Sequence, residues 1–98
     1  MDYQVILSPR AIRDLQEIVR YISFENPTAA AQLGSKLIEK TRLLATQPEL
    51  GRVVPELGNA TIREVIFRPY RIVYRVNHHR HVVEVARYWH GARGTPIP

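Results

Sequence analysis

Two β-type runs constrain this chain most: Tyr70-Arg71-Ile72-Val73-Tyr74-Arg75-Val76 and Val82-Val83-Glu84-Val85-Ala86-Arg87-Tyr88-Trp89, separated only by a histidine-rich turn. Strands so close in sequence pair as antiparallel neighbours, and Asn77-His78-His79-Arg80 suits the turn because Asn tolerates left-handed backbone. A third run, roughly 61–67, is joined to the first by Arg68-Pro69, which extends the pair into a meander. Successive side chains alternate across a strand, so Tyr70, Ile72, Tyr74 and Val76 share one face while Arg71, Val73 and Arg75 share the other. The apolar set is predicted to face the core and Arg71 to point away from it. In the last run Val83, Val85, Arg87 and Trp89 fall on one face and Val82, Glu84, Ala86 and Tyr88 on the opposite one, and parity alone does not pick the inward face.

The first half reads differently. Tyr3-Gln4-Val5-Ile6-Leu7 is a short β-type run that stops at Ser8-Pro9, where Ser can cap a helix and Pro suits its first turn. From there Ala11, Ile12, Leu15, Ile18, Val19 and Ile22 recur at helical spacing, with Arg13, Asp14, Glu17 and Arg20 between them. Asn26-Pro27 repeats the cap-plus-proline signature and opens a second helix with Ala30, Leu33, Leu37, Ile38 and Leu44 on one side, ending before Pro48. Two helices with so short a connection form an antiparallel hairpin. Pro48 to Gly58 holds two prolines and two glycines and reads as a structured loop. The expected order is therefore β-α-α-β-β-β, an α+β fold with a helical hairpin packed on one small, twisted, mainly antiparallel sheet. In a core this small, the area of Trp89 favours its burial against the helices.

At 98 residues the chain is one domain, taken as 1–93 with a tail at 94–98, and it buries one modest core. It has no cysteine, which rules out disulfides and thiolate metal sites and fits a reducing cytosol. Met1-Asp2-Tyr3-Gln4 lacks the basic start and long apolar run of a signal peptide, and no run approaches the ~18 apolar residues of a membrane span. A cytoplasmic protein without a membrane partner is expected. No cofactor or metal is expected either: His78, His79 and His81 lie close together but read as turn and strand-start residues, with no acidic ligand nearby.

Charge is uneven. Residues 1–50 balance six basic against six acidic side chains, whereas residues 51–98 hold eight arginines against Glu56, Glu64 and Glu84, so the whole net charge of +5 lies in the second half. Of the 14 basic residues 12 are arginine, whose planar fork suits phosphate and carboxylate. This balance points to an acidic partner, nucleic acid or protein. A free-standing nucleic-acid-binding module would account for the arginines, but the chain has no helix-turn-helix, zinc-finger or aromatic-glycine signature.

The order of elements, Pro48-Glu49-Leu50-Gly51-Arg52 before the sheet, Ile62-Arg63-Glu64, the Tyr70 to Val76 strand and the closing His90-Gly91-Ala92-Arg93 together resemble the RelE/ParE superfamily of type II toxin–antitoxin toxins. The resemblance covers nearly the whole chain and implies a toxin neutralised by a cognate antitoxin. It also implies one of two mechanisms. ParE-like members poison DNA gyrase, and the Pro-Glu-Leu-Gly-Arg loop, the following Pro55-Glu56-Leu57-Gly58 and the His-Gly-Ala-Arg ending look more like that branch. RelE-like and YoeB-like members cut mRNA in the ribosome without a metal.

For the gyrase reading the candidate target-binding residues are Arg63, Arg71, Arg75, Arg87, His90 and Arg93. For the nuclease reading, Arg71 falls on the YoeB-like strand arginine, His90 on the histidine near the C-terminus and Glu49 approximately on the glutamate base, with Arg63, Arg87 and Tyr88 in support. Cutting RNA through its 2′-hydroxyl needs a base near that oxygen, cations around the phosphate and an acid for the leaving oxygen. Gly91 stands where that group has a catalytic tyrosine, and no lysine follows Lys40 although RelE-like enzymes rely on lysines there. Growth arrest through gyrase is the expected function, and mRNA cleavage the alternative.

Overall fold

Both helices begin at the cap-plus-proline pairs. In the computed structural model, which describes residues 2–98, Ser8 Oγ accepts from the Ala11 amide at 3.0 Å and Asn26 Oδ1 from the Ala29 amide at 3.0 Å. A strand β1 (Gln4–Leu7) precedes helix α1 (Pro9–Ser23), and α2 (Pro27–Arg42) follows with a 3-10 turn at Leu43–Ala45. Then come β2 (Arg52–Val53), β3 (Ile62–Phe67), β4 (Tyr70–Asn77), β5 (Val82–His90) and a second 3-10 turn at Gly91–Arg93. The sheet order is β1-β5-β4-β3-β2, with β1 parallel to β5 and the other pairs antiparallel. The expected α+β hairpin-on-sheet architecture is what the chain forms.

Strand β2 lies inside the segment read as loop. It pairs Arg52 with Glu64 and Val53 with Arg63, and two residues are too few for alternation to reveal a strand. Gly51 sits tight beneath it: a Cβ there would stand 2.4 Å from the Glu64 carbonyl oxygen. No other residue fits without moving that backbone.

The predicted inward set of β4 is correct. Tyr70, Ile72, Tyr74 and Val76 join Ala11, Leu37, Leu44, Val83, Val85 and Tyr88 in the core beneath the helices. Strand β5, by contrast, cannot be read by simple parity. Val73 faces Arg87 while its neighbour Tyr74 faces Val85, so Ala86 is an extra residue that flips the alternation. Val83, Val85 and Tyr88 therefore share the helix side, and Trp89 goes to the opposite one. There Trp89 packs with Val54, Ile62 and Val73 in a second small core, with Leu57 of the 48–58 loop against it. The expectation that Trp89 packs against the helices is overturned, and the bulge is the reason.

Asp14 also departs from its sequence reading. Strand β1 ends at Leu7, which leaves the outer edge of β5 beyond Val85 without a strand partner. Ser8 N–H donates to the Val85 carbonyl, Ser8 Oγ donates to the Ala86 carbonyl, and Asp14 Oδ2 accepts the Tyr88 amide at 3.1 Å. Asp14 thus turns inward from α1 to finish a sheet edge and is 5% exposed.

Candidate functional site

The β3–β4 connection at Arg68-Pro69 and the end of β5 meet at one end of the sheet. The register sets Tyr70 opposite His90 and Arg71 opposite Trp89, and Gly91 N–H donates to the Pro69 carbonyl at 2.7 Å. Between them lies an open cavity of about 540 Å³ lined by Arg52, Ile66, Arg68, Arg71, His90 and Gly91, among others. The structure thus brings together Arg71 and His90 from the sequence-derived candidates, and adds Arg52 and Arg68.

Arg71 is held by carboxylates. Its Nη2 donates to Glu56 Oε2 at 2.9 Å and its Nη1 to Glu56 Oε1 and Glu64 Oε1, both at 3.2 Å. Glu64 is 1% exposed, and its Oε2 also takes the Arg52 Nε–H at 2.9 Å, so one buried carboxylate binds two arginines. Burying a charge is costly unless it is paired, and here the pairing is complete. The Arg71 hydrogen bond, with help from the loop backbone at Glu56, holds the Glu56 carboxyl below its ordinary 4.5, and the same contact raises the Arg71 guanidinium further. Glu64 was not singled out in the sequence, although one signal was present. It shares strand parity with Ile62 and Ile66, a lone carboxylate on an apolar face.

His90 packs its ring edge-on to Tyr70 at 5.3 Å, and its Nδ1 accepts the Ala92 amide at 3.1 Å, capping the 3-10 turn. In a neutral ring this leaves the N–H on Nε2. A side chain at position 91 would press on the Pro69 oxygen, since a Cβ there would stand 3.1 Å away.

Glu49 is elsewhere. Its Oε1 lies 3.3 Å from Nε2 of His78, beyond the far end of β4, while Nδ1 of that ring is 2.6 Å from the Tyr3 hydroxyl. From position 71 to position 78 a strand runs about 23 Å at 3.3 Å per residue. Glu49 therefore does not meet Arg71 and His90. Arg63 donates from Nη1 to the Gly51 carbonyl at 2.8 Å, while the Gly51 amide donates to the Tyr74 hydroxyl at 2.9 Å. Arg75 is exposed on the sheet face away from the helices, opposite Glu84 in register.

Two further candidates turn inward. Arg87 is 6% exposed, with Nε and Nη2 on Asp14 at 2.7 and 3.1 Å and Nη1 donating to the Ile97 carbonyl at 3.0 Å. Tyr88 is buried, its hydroxyl 2.8 Å from Thr41 Oγ1, and burial pushes its pKa up. The guanidinium carbons of Arg87 and Arg93 lie over the Trp89 ring, 4.7 and 4.3 Å from its centroid, and Trp89 Nε1–H donates to the Gly94 carbonyl. The cavity therefore offers positive charge and one imidazole. The two carboxylates in contact with its arginines, Glu56 and Glu64, are both engaged in ion pairs.

This architecture is that of small toxins solved with or without their antitoxins. The chromosomal ParDE system of P. aeruginosa matches with a TM-score of 0.75 at 16% identity, covering 90% of this chain and 95% of that one. The RelBE2 complex of Mycobacterium tuberculosis matches with a TM-score of 0.70 at 21% identity, covering 92% and 99%. Identities this low establish the fold alone. The family follows from sequence: residues 5–94 match the model of the ParE toxin of the type II toxin–antitoxin system parDE. Toxin RelE2 of Caulobacter vibrioides is 38% identical over 91 residues, spanning 92% of this chain and 97% of that protein. The chain belongs to the ParE toxin family of type II toxin–antitoxin systems.

Proposed function

We propose that this toxin arrests growth by gripping a protein, DNA gyrase, and that a cognate antitoxin neutralises it. The observation that carries this reading is the ionic lock on Arg71. A metal-independent nuclease needs an arginine free for the scissile phosphate and a base beside the 2′-hydroxyl. Here Arg71 is taken by Glu56 and Glu64, Nδ1 of His90 by the turn it caps, and Glu49 pairs with His78 at the other end of the strand. Gly91 lies against the Pro69 carbonyl, 3.1 Å from where a Cβ would stand, so the aromatic acid of the YoeB-like enzymes would fit there only if that backbone gave way by a few tenths of an ångström. Binding a protein needs none of these groups free at one point.

The RNA-cleaving alternative keeps one observation, the shared cavity of Arg68, Arg71 and His90, and the relative named RelE2. For the antitoxin, the outer edge of β1 offers unpaired backbone that can accept an added strand, and the basic second half suits an acidic segment. Co-expression with the product of an adjacent small reading frame should restore growth.

The deciding experiment induces the chain in cells and reads two signals separately. Gyrase-dependent DNA breaks with an SOS response are expected. Codon-phased mRNA cleavage without DNA damage would overturn the proposal in favour of the nuclease.

A further inference from the structure

Helix α1 has an outer face that nothing in the chain covers. Tyr21 and Phe24 stand three residues apart at its C-terminal end and are 79% and 76% exposed. Apolar residues scattered singly over a surface are ordinary, but Tyr21 also borders a hollow of about 280 Å³ between α1 and the end of the sheet, whose lining includes Ile18, Ile22 and Tyr70. Arg13, Glu17 and Arg20 continue the same face toward the N-terminus, since positions spaced by three and four residues fall on one side of a helix. All three are exposed, and none of their side chains makes an ion pair or hydrogen bond among the described residues.

We propose that this face docks a second copy of the chain, α1 against α1 in antiparallel two-fold pairing. In a two-fold contact, if residue i meets residue j of the partner, then j meets i. A pairing centred between Ile18 and Val19 sets Glu17 against the partner's Arg20 and Arg20 against the partner's Glu17. The same register lays the partner's Phe24 on Arg13, a guanidinium over an aromatic face. An acidic helix in this place would satisfy the arginines but leave Glu17 opposite like charge, so the charge pattern selects a copy of α1 over an acidic partner. The aromatic side chains supply the affinity and the charges fix the register. A helix of 15 residues runs only about 22 Å, which puts the contact at the low end of specific interfaces and makes the dimer weak and concentration-dependent. It uses neither the β1 edge nor Arg71, so it stands whichever target the toxin acts on.

The test follows the full chain, made by cell-free synthesis, through a dilution series in sedimentation velocity, where a reversible monomer–dimer equilibrium is expected. Glu17→Arg alone and Arg20→Glu alone each set like charges face to face and should weaken the dimer about tenfold. The double variant restores both pairs with their signs reversed and should return to within about threefold of the unsubstituted chain. Phe24→Ala should weaken the dimer about as much as either single swap. A chain that stays monomeric at every concentration leaves the face to some other partner and overturns the proposal, as do single swaps that the double variant fails to correct. All these positions are exposed, and circular dichroism should show the variants folded. Should one fail to fold, the unsubstituted chain still decides. On dilution the backbone amide resonances of Glu17, Arg20 and Phe24 should shift while those of Gln4–Leu7 stay in place. Movement at Gln4–Leu7 alone would put the contact on the sheet edge and sink the helix pairing.

Discussion

At the residue scale the buried charges carry the largest consequences. Asp14 completes a sheet edge and an ion pair at once: it accepts the Tyr88 amide and two Arg87 donors and stands 3.6 Å from Arg10. Asp14→Ala leaves a buried guanidinium and a buried amide unpaired, for which a loss of about 3–5 kcal/mol is expected in urea unfolding. An unfolding free energy within about 1 kcal/mol of the parent would show that water reaches this pair. Glu56 is the opposite case, an exposed carboxyl whose pKa is lowered mainly by its Arg71 hydrogen bond. Because the folded value is depressed, its contribution is present above the ordinary 4.5 and is lost as pH falls through the folded value. Thermal melts of the parent and Glu56→Gln should therefore converge as the pH is lowered from 4.5 through the depressed folded value. A difference that stays constant from pH 7 to 3 would mean that Glu56 acts through packing alone. Asp14 and Glu64 were hard to read because a sequence shows a charge but not the backbone edge or the paired arginine that makes its burial tolerable.

At the scale of elements, short-range rules worked where the signal is local. Ser8-Pro9 and Asn26-Pro27 opened the helices as expected because a cap needs only its own first turn. Alternation worked in β4 and failed in β5, where the extra residue Ala86 moved Trp89 across the sheet. A bulge is set by the partner strand and by what fills each face, so nothing in Val85-Ala86-Arg87 announces it. The C-terminal residues show the consequence. Pro96 is fully buried, and Arg87 and Trp89 donate to the Ile97 and Gly94 carbonyls. Truncation after Gly94 should red-shift the fluorescence of Trp89, the sole tryptophan, and lower Tm. An unchanged emission maximum would mean that the 54–58 loop shields the ring without the tail. Gly51→Ala should cost about 3 kcal/mol, at the upper end for overpacking, since the added carbon meets backbone that cannot rotate away. Denaturant unfolding would measure it.

At the scale of the whole molecule, the same fold is shared by toxins of differently named systems, ParDE and RelBE2, so what a member acts on is decided by its site and not by its fold. Arg71→Ala combined with His90→Ala should abolish growth arrest if the toxin cuts mRNA, and should leave part of it if the target is gyrase, whose binding surface also takes in Arg63, Arg75 and Arg93, with circular dichroism confirming that the variant folds. The sequence by itself determined every longer element, their order, the apolar face of β4 and the family, but not the two-residue β2, because periodicity, caps and motif order are properties of neighbours along the chain. Only the tertiary structure decided that Arg71 is locked by Glu56 and Glu64, that Glu49 and His90 stand at opposite ends of the sheet, and that Arg87 is buried on Asp14. Those facts depend on which residues meet across strands and between helix and edge. Electrostatic interaction falls with distance in space, whatever the separation along the chain.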